Sequence, residues 1–277
     1  MRSHAVLLVA ARELREAMRS RWFVLAAGCF LALSLGLSVL GLAGAQRSGL
    51  AGFDRTTASL LNLALLFVPL MTLSLGGLAI AGELEDGSLG MLLAQPLTRL
   101  EVYVGKYAGL LAAVTAAVCC GFGTTGVIVG LRAGAGNAQG FVGLVALVLL
   151  LGAATLGIGT LLSVALHSRA RVIGAAFSTW LVLVYLSDLG VIGLTLARNL
   201  QPGQVFVLAL VNPVEQARVL GTLLLSDRLD VLGPVGIFGH DLLGGTGLVG
   251  LLVATLVATA ALALAAGYAV FRRIAVS

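Results

Sequence analysis

Charge is what this sequence has least of. Only 10% of its 277 residues are Asp, Glu, Lys or Arg, against 59% hydrophobic residues and a mean hydropathy of +1.08. A soluble domain cannot cover its surface with so little charge, and the apolar runs exceed the length of buried core helices. The chain is therefore an integral membrane protein. Lysine occurs once, as Lys106, and is followed by Tyr107. A phosphate-binding loop needs a lysine followed by Ser or Thr after a glycine-rich turn, so this chain cannot bind ATP by such a motif. Histidine occurs only as His4, His167 and His240, none spaced with another ligand on one helix face, and no HExxH pair or GxSxG elbow is present. No catalytic residue is expected, and His240-Asp241 reads as a solvated pair. Cys29, Cys119 and Cys120 all fall in apolar runs, so neither a disulfide framework nor a closed zinc site is indicated. With Met71 they offer soft atoms for copper, but at no spacing that forces a site, and packing is the ordinary use of such side chains. The formal net charge of +5 is read as membrane orientation, not nucleic-acid binding.

What the chain does have is six long apolar runs. Ahead of them, residues 1–21 read as an interfacial helix with Leu7, Ala11, Leu14 and Met18 on one face and Arg12, Arg15, Glu16 and Arg19 on another. It is either a surface anchor alone or also a contact for a cytoplasmic partner. The first span covers about 22–41. The Ala43-Gly44-Ala45 that follows imitates a signal-peptidase site, but the apolar run is too long for a signal-peptide core and a charged helix precedes it. The second span, about 57–81, holds Asn62 as a possible pathway residue and Pro69 as an expected kink. The third, about 103–131, contains Gly121-Phe122-Gly123-Thr124-Thr125-Gly126, which matches the dinucleotide fingerprint as a string. That match is rejected, because the fingerprint needs a strand before it and a helix opening at it. Gly126, Gly130 and the series Gly152, Ala153, Gly157 in the fourth span, about 141–166, are expected to let helices approach closely. The fifth span, about 172–197, includes Asp188, either a pathway group or an inward-facing carboxylate paired with Tyr185 or Arg198. Residues 198–245 are too short for a domain and too apolar for a linker, and are expected to form one or two outer helices, with Pro213 at a first helical position. The last span covers about 246–271.

Orientation follows from the basic residues. Arg2, Arg12, Arg15, Arg19, Arg21, Arg99, Lys106, Arg169, Arg171, Arg272 and Arg273 would be cytoplasmic if both ends lie inside. Arg47, Arg55, Arg132, Arg198, Arg218 and Arg228 would be outside and more dispersed. The positive-inside rule thus favours N-in and C-in.

Between the second and third spans lies a charged, turn-rich insert, residues 82–101. Asp86 and Ser88 are placed to cap a short helix, Leu89, Leu92 and Leu93 fall on one face, and Pro96 stops it. Thr98 and Glu101 have the capping-box spacing for the helix that follows. The pattern Gly82-Glu83, Asp86-Gly87-Ser88, Leu92-Leu93, Gln95-Pro96, Thr98-Arg99 and Gly105-Lys106 resembles the first cytoplasmic loop of ABC-2 type permeases. The resemblance implies that Glu83, Glu85, Asp86, Gly87, Ser88, Leu89, Leu92, Leu93, Pro96 and Arg99 couple the chain to a separate ATPase. That ATPase would bind ATP and Mg, leaving this chain non-catalytic, without cofactor or metal. It further implies a homodimer, since six spans are half the helix complement such transporters use.

Within that family the whole chain is most similar to the permeases of NosDFY transporters, which serve maturation of the copper centres of nitrous oxide reductase. This similarity implies the bacterial inner membrane, a NosF-like ATPase, and a periplasmic NosD-like protein docked on 198–245 through Asn212, Pro213, Glu215 and Arg218. A NosL-like copper chaperone would be reached through that protein. The permease would export a sulfur or copper species, or transmit motion outward. A generic ABC-2 exporter of a lipid, drug or peptide shares the loop features, and an intramembrane enzyme or passive scaffold is the third reading. The expected fold is all-α and polytopic, with residues 1–21 interfacial, 22–277 forming the transmembrane domain, a coupling helix in 82–101 and outer helices in 198–245.

Overall fold

The computed structural model describes residues 3–48, 51–133, 138–187, 202–225 and 233–274, and the regular structure among them is entirely helical. Lipid offers no water to backbone N–H and C=O groups, so each apolar run must satisfy them internally, which a helix does. The elements are α1 (Ser3–Arg19), α2 (Arg21–Ser48), α3 (Ala51–Glu85), α4 (Ser88–Leu93), α5 (Arg99–Ala133), α6 (Ala138–Leu166), α7 (Arg169–Leu181) with a π-helical continuation (Val182–Leu186), α8 (Pro202–Val211), α9 (Pro213–Leu225) and α10 (Gly233–Phe271). Six of them, α2, α3, α5, α6, α7 with its continuation, and α10, are long and apolar enough to cross a membrane. The 35 residues of α3 and of α5 reach about 50 Å at about 1.5 Å per residue, well beyond a hydrocarbon core of about 30 Å. Both helices therefore continue past the membrane as stems, joined by the loop that carries α4.

Because lipid tails are as apolar as leucine, helices in a membrane associate through close packing and interhelical hydrogen bonds. The α3–α6 contact uses both. A Cβ on Gly76 would lie 2.8 Å from the Leu156 carbonyl oxygen, and one on Gly159 would lie 2.9 Å from that of Leu73. The Thr72 and Thr155 hydroxyls are 2.7 Å apart, and the Ser163 hydroxyl accepts from the backbone N–H groups of Ile80 and Ala81. Pro69 lies buried within α3, which runs through it as one helix. Gly152 meets Val68 and Val114, and Gly157 meets Ala263, as the small-residue series in α6 led us to expect. The fingerprint-like string lies in mid-helix within α5, where Gly121 meets Phe30 and Gly126 meets Phe141.

Helix α1 docks along α5. Val9, Glu13 and Ala17 are its buried face, and Gly105 and Gly109 of α5 let Val6, Val9 and Ala10 come close. The face containing Leu7 and Met18 points outward, 65% and 50% exposed. The sequence reading identified that apolar face but not the second, protein-facing one.

The loop between the stems fixes which chain ends lie together. Arg99, at the start of α5, donates to the carbonyl oxygens of Phe271, Arg272 and Ile274 at 3.3, 3.1 and 2.7 Å. Arg169, at the start of α7, pairs with Asp86, and Glu13 of α1 pairs with Lys106. So α7 leaves this face, α10 returns to it, and α1 belongs to it. The chain between α7 and α10 must then start and finish at the opposite face. Helices α8 and α9, bent by 109°, consequently form a re-entrant hairpin and not a seventh span. The outer helices expected from sequence are present, and instead of lying flat they enter the bundle: Gly221 packs on Leu61, and the Thr255 hydroxyl donates to Gln216. The break in α10 falls at Gly244, with φ 71° and ψ 169°, a conformation essentially confined to glycine. The membrane-capable part of α10, Gly236–Phe271, starts ahead of the expected last span at about 246 and includes this break.

Candidate functional site

The short helix α4 begins after Gly87, whose φ of 72° suits a residue without Cβ. The expected caps are not used. The N-cap position is Gly87, which has no side chain to cap with; Ser88 falls inside the helix, and Asp86 is turned instead to the Arg169 guanidinium. Leu89 and Leu92 are 1% and 5% exposed. They pack, with the partly buried Leu93, against Ile80 of α3, Val102 and Tyr103 of α5, Val164 of α6, and Phe271 and Ile274 at the end of the last span. Met91 points away from the protein, 71% exposed, and Gln95 and Pro96 beyond the helix are also exposed. The capping box forms as expected: the Thr98 N–H donates to Glu101 Oε2 at 3.0 Å, and the Glu101 N–H donates to Thr98 Oγ1 at 3.3 Å.

Charged groups tie this unit to α1, α7 and the end of α10. The Arg169 N–H donates to Glu85 Oε2 at 2.8 Å, so Glu85 and Asp86 together hold the start of α7. Arg99 caps the end of α10, where unsatisfied carbonyls carry partial negative charge. Glu83 is turned inward. Its Oε1 lies 2.9 Å from Lys106 Nζ and 3.2 Å from Arg12 Nη2. Lys106, 2% exposed, also pairs with Glu13 at 2.9 Å and donates to the Ala79 carbonyl at 3.2 Å. Burial pushes the Glu13 carboxyl above its ordinary value, with Lys106 pulling the other way and Glu83 and Glu16 adding to the rise. The chain's one lysine is thus the hub of a buried ion-pair network joining α1 to both stems. Sequence reasoning placed Lys106 at a membrane boundary but did not find Glu13 as its partner, Arg12 beside Glu83, or Arg169 on Asp86. The available signal was a single lysine entering an apolar run on a face supplied with carboxylates.

Carboxylate oxygens of Glu13, Glu16 and Glu83 lie within 4.8 Å of one another. Lys106 and Arg12 stand among them, two cations to three carboxylates, and Glu83 Oε2 is buried without a hydrogen-bond partner among the described residues. The three cysteines face outward and Met71 is buried in the core.

Toward the opposite face, Asn212 sits in the break between α8 and α9. Its amide donates to the Leu183 carbonyl at 2.7 Å and to the Ser187 hydroxyl at 2.8 Å, while its Oδ1 accepts from the Val214 N–H at 2.9 Å. The π-helical turn and the hairpin are thereby locked together. Pro213 is buried at the first position of α9, and Glu215 and Arg218 pair at 2.6 Å, partly exposed. Asn62 is exposed on α3. Asp188 and Arg198 lie outside the described residues.

The profile of a family described as ABC-2 family transporter protein matches residues 7–275. The chain is similar to a probable ABC transporter permease protein NosY of Pseudomonas aeruginosa, 31% identical over 221 residues, covering 78% of this chain and 80% of that protein. A probable ABC transporter permease protein NosY of Stutzerimonas stutzeri is 30% identical over 219 residues, covering 76% and 79%.

Proposed function

This chain belongs to the ABC-2 family of transporter proteins, and we propose that it is the membrane subunit on which a separate NosF-like ATPase acts through helix α4. The observation that carries this reading is the double character of α4: an outward Met91 beside exposed loop residues, and an inward Leu89–Leu92 face embedded among the stems and the end of the last span. ATP and Mg would be bound by the ATPase. Its closure would displace α4, and the packed cluster together with Arg99 would carry that displacement into α5 and α10 at once. The complex would contain two copies of this chain. Asn62 supports that reading, since an exposed amide within a span is poorly served by lipid and suits a second protomer or a polar path.

We further propose, from the likeness to the two NosY permeases, a role in maturing the copper centres of nitrous oxide reductase at the bacterial inner membrane. The work done would be export of a sulfur or copper species, or motion passed to a periplasmic NosD-like protein and through it to a NosL-like copper chaperone. The outer partner would meet Glu215 and Arg218 and the first part of α10, because Asn212 and Pro213 are buried.

The test is affinity purification of the chain from its native membranes with identification of what accompanies it. Recovery of an ABC ATPase and a copper-handling outer protein is expected. An ATPase alone would favour a generic exporter of a lipid, drug or peptide, and recovery of neither would defeat the coupling reading. In the same assay Met91→Asp is expected to abolish ATPase association at unchanged protein level. Leu92→Ala should instead destabilise the fold by about 2–5 kcal/mol, the ordinary cost of truncating a buried leucine.

A further inference from the structure

Successive residues of a helix turn by about 100°, which divides α1 into three sectors. One, centred on Val9, Glu13 and Ala17, is buried on α5. The next carries Leu7, Ala11 and Met18, all exposed. The third carries Arg12, Arg15 and Arg19, and Arg21 follows at the start of α2. Arg12 is engaged with Glu16 and Glu83. Arg15, Arg19 and Arg21 are exposed and have no ion-pair partner among the described residues. Trp22, 52% exposed, stands next to Arg21 where the first span begins.

We propose that α1 and the start of α2 form a binding site for anionic phospholipid headgroups in the leaflet that borders the α4 face. Arg15, Arg19 and Arg21 take the phosphates, while Leu7, Met18 and Trp22 enter the acyl boundary. Two observations select lipid over an acidic protein surface. The free cations adjoin an exposed apolar sector that a water-soluble partner would leave wet, and that sector is continuous with the membrane-crossing helix α2. A basic sector beside an apolar one is the combination that holds a helix in an anionic interface. The site is also fixed in place: Glu13, bonded to Lys106, ties α1 to the stems, so headgroup binding and stem position share one rigid connection. This inference does not depend on the ATPase reading.

The chain has two tryptophans, so Trp180→Phe leaves Trp22 as the only reporter. The full chain carrying that substitution is reconstituted in phosphatidylcholine bilayers containing either brominated phosphatidylcholine or brominated phosphatidylglycerol, and quenching of Trp22 is compared. A preference for phosphatidylglycerol of about fivefold or more is expected, falling to parity when Arg15, Arg19 and Arg21 are replaced by Gln and falling steadily with salt. Equal quenching by the two lipids in the parent chain overturns the proposal. So does an undiminished preference in the triple variant, and loss of a co-purifying ATPase in that variant with lipid preference intact would assign the arginines to the ATPase instead. If the triple variant is not recovered folded, the salt titration of the parent chain decides, and a preference that persists at about 0.5 M salt overturns the proposal.

Discussion

Lys106 is the residue on which the face bearing α4 is most dependent. It pairs with both Glu13 and Glu83, 2.9 Å from each, almost wholly shielded from water. Removing one partner of such a group leaves the other charges buried and unbalanced, so Lys106→Met is expected to destabilise the chain by about 3–5 kcal/mol. Glu13→Gln is expected to cost less, because it removes a charge whose burial already outweighs its attraction to Lys106. The difference can be read from thermal unfolding in detergent. The raised Glu13 value also sets a pH dependence. A carboxyl whose value is higher in the folded chain contributes fully below the ordinary 4.5 and loses that contribution as pH rises through the folded value. Wild type is therefore expected to lose stability, relative to Glu13→Gln, as pH rises through that window; identical slopes would contradict the burial argument. None of this was legible in the sequence, since Glu13 and Lys106 are 93 positions apart and no local pattern reports so distant a partner.

Among the elements, α4 and α10 are the pair whose connection matters most. The sequence reading marked Arg99 for contact with an ATPase, and the structure places its guanidinium on three carbonyls at the end of the last span. Hydrogen bonds to a charged donor contribute about 1.5–3 kcal/mol in favourable settings. Arg99→Ala is accordingly expected to speed hydrogen exchange at residues 268–274 by tenfold or so, while exchange in α6 stays unchanged. A change confined to 88–101 would mean that the cap carries no mechanical load. Local signals did succeed at this scale. The Thr98–Glu101 box and Pro213 at its first helical position both require only neighbours a few residues away, and both are found as read. The α4 cap failed as a reading because Arg169, far along the chain, competes for Asp86.

For the whole molecule, the decisive feature is that α7 leaves and α10 returns to the face where α1 and α4 sit. With the native cysteines replaced, Gln204→Cys and Leu225→Cys are expected to react with a membrane-impermeant thiol reagent from one side, and Arg273→Cys from the other. Labelling of positions 204 and 225 from opposite sides would make the hairpin a seventh span and would invert the end of the chain. Both ends of the described chain then share the face that the positive-inside count assigns to the cytoplasm.

The sequence by itself determined that the chain spans a membrane six times, where most spans begin, and that the loop after the second span carries a short apolar-faced helix. These follow from composition, period and capping, all of which act within a few residues. Only the tertiary structure decided what those elements face. It turned Leu89 and Leu92 inward while leaving Met91 out, drew Arg99 to the end of the last span, and folded 202–225 back into the bundle. In a chain so uniformly apolar, hydrophobicity cannot distinguish a lipid-facing side from a protein-facing one. Close approach at glycines and a few charged partners distant in sequence make that distinction instead.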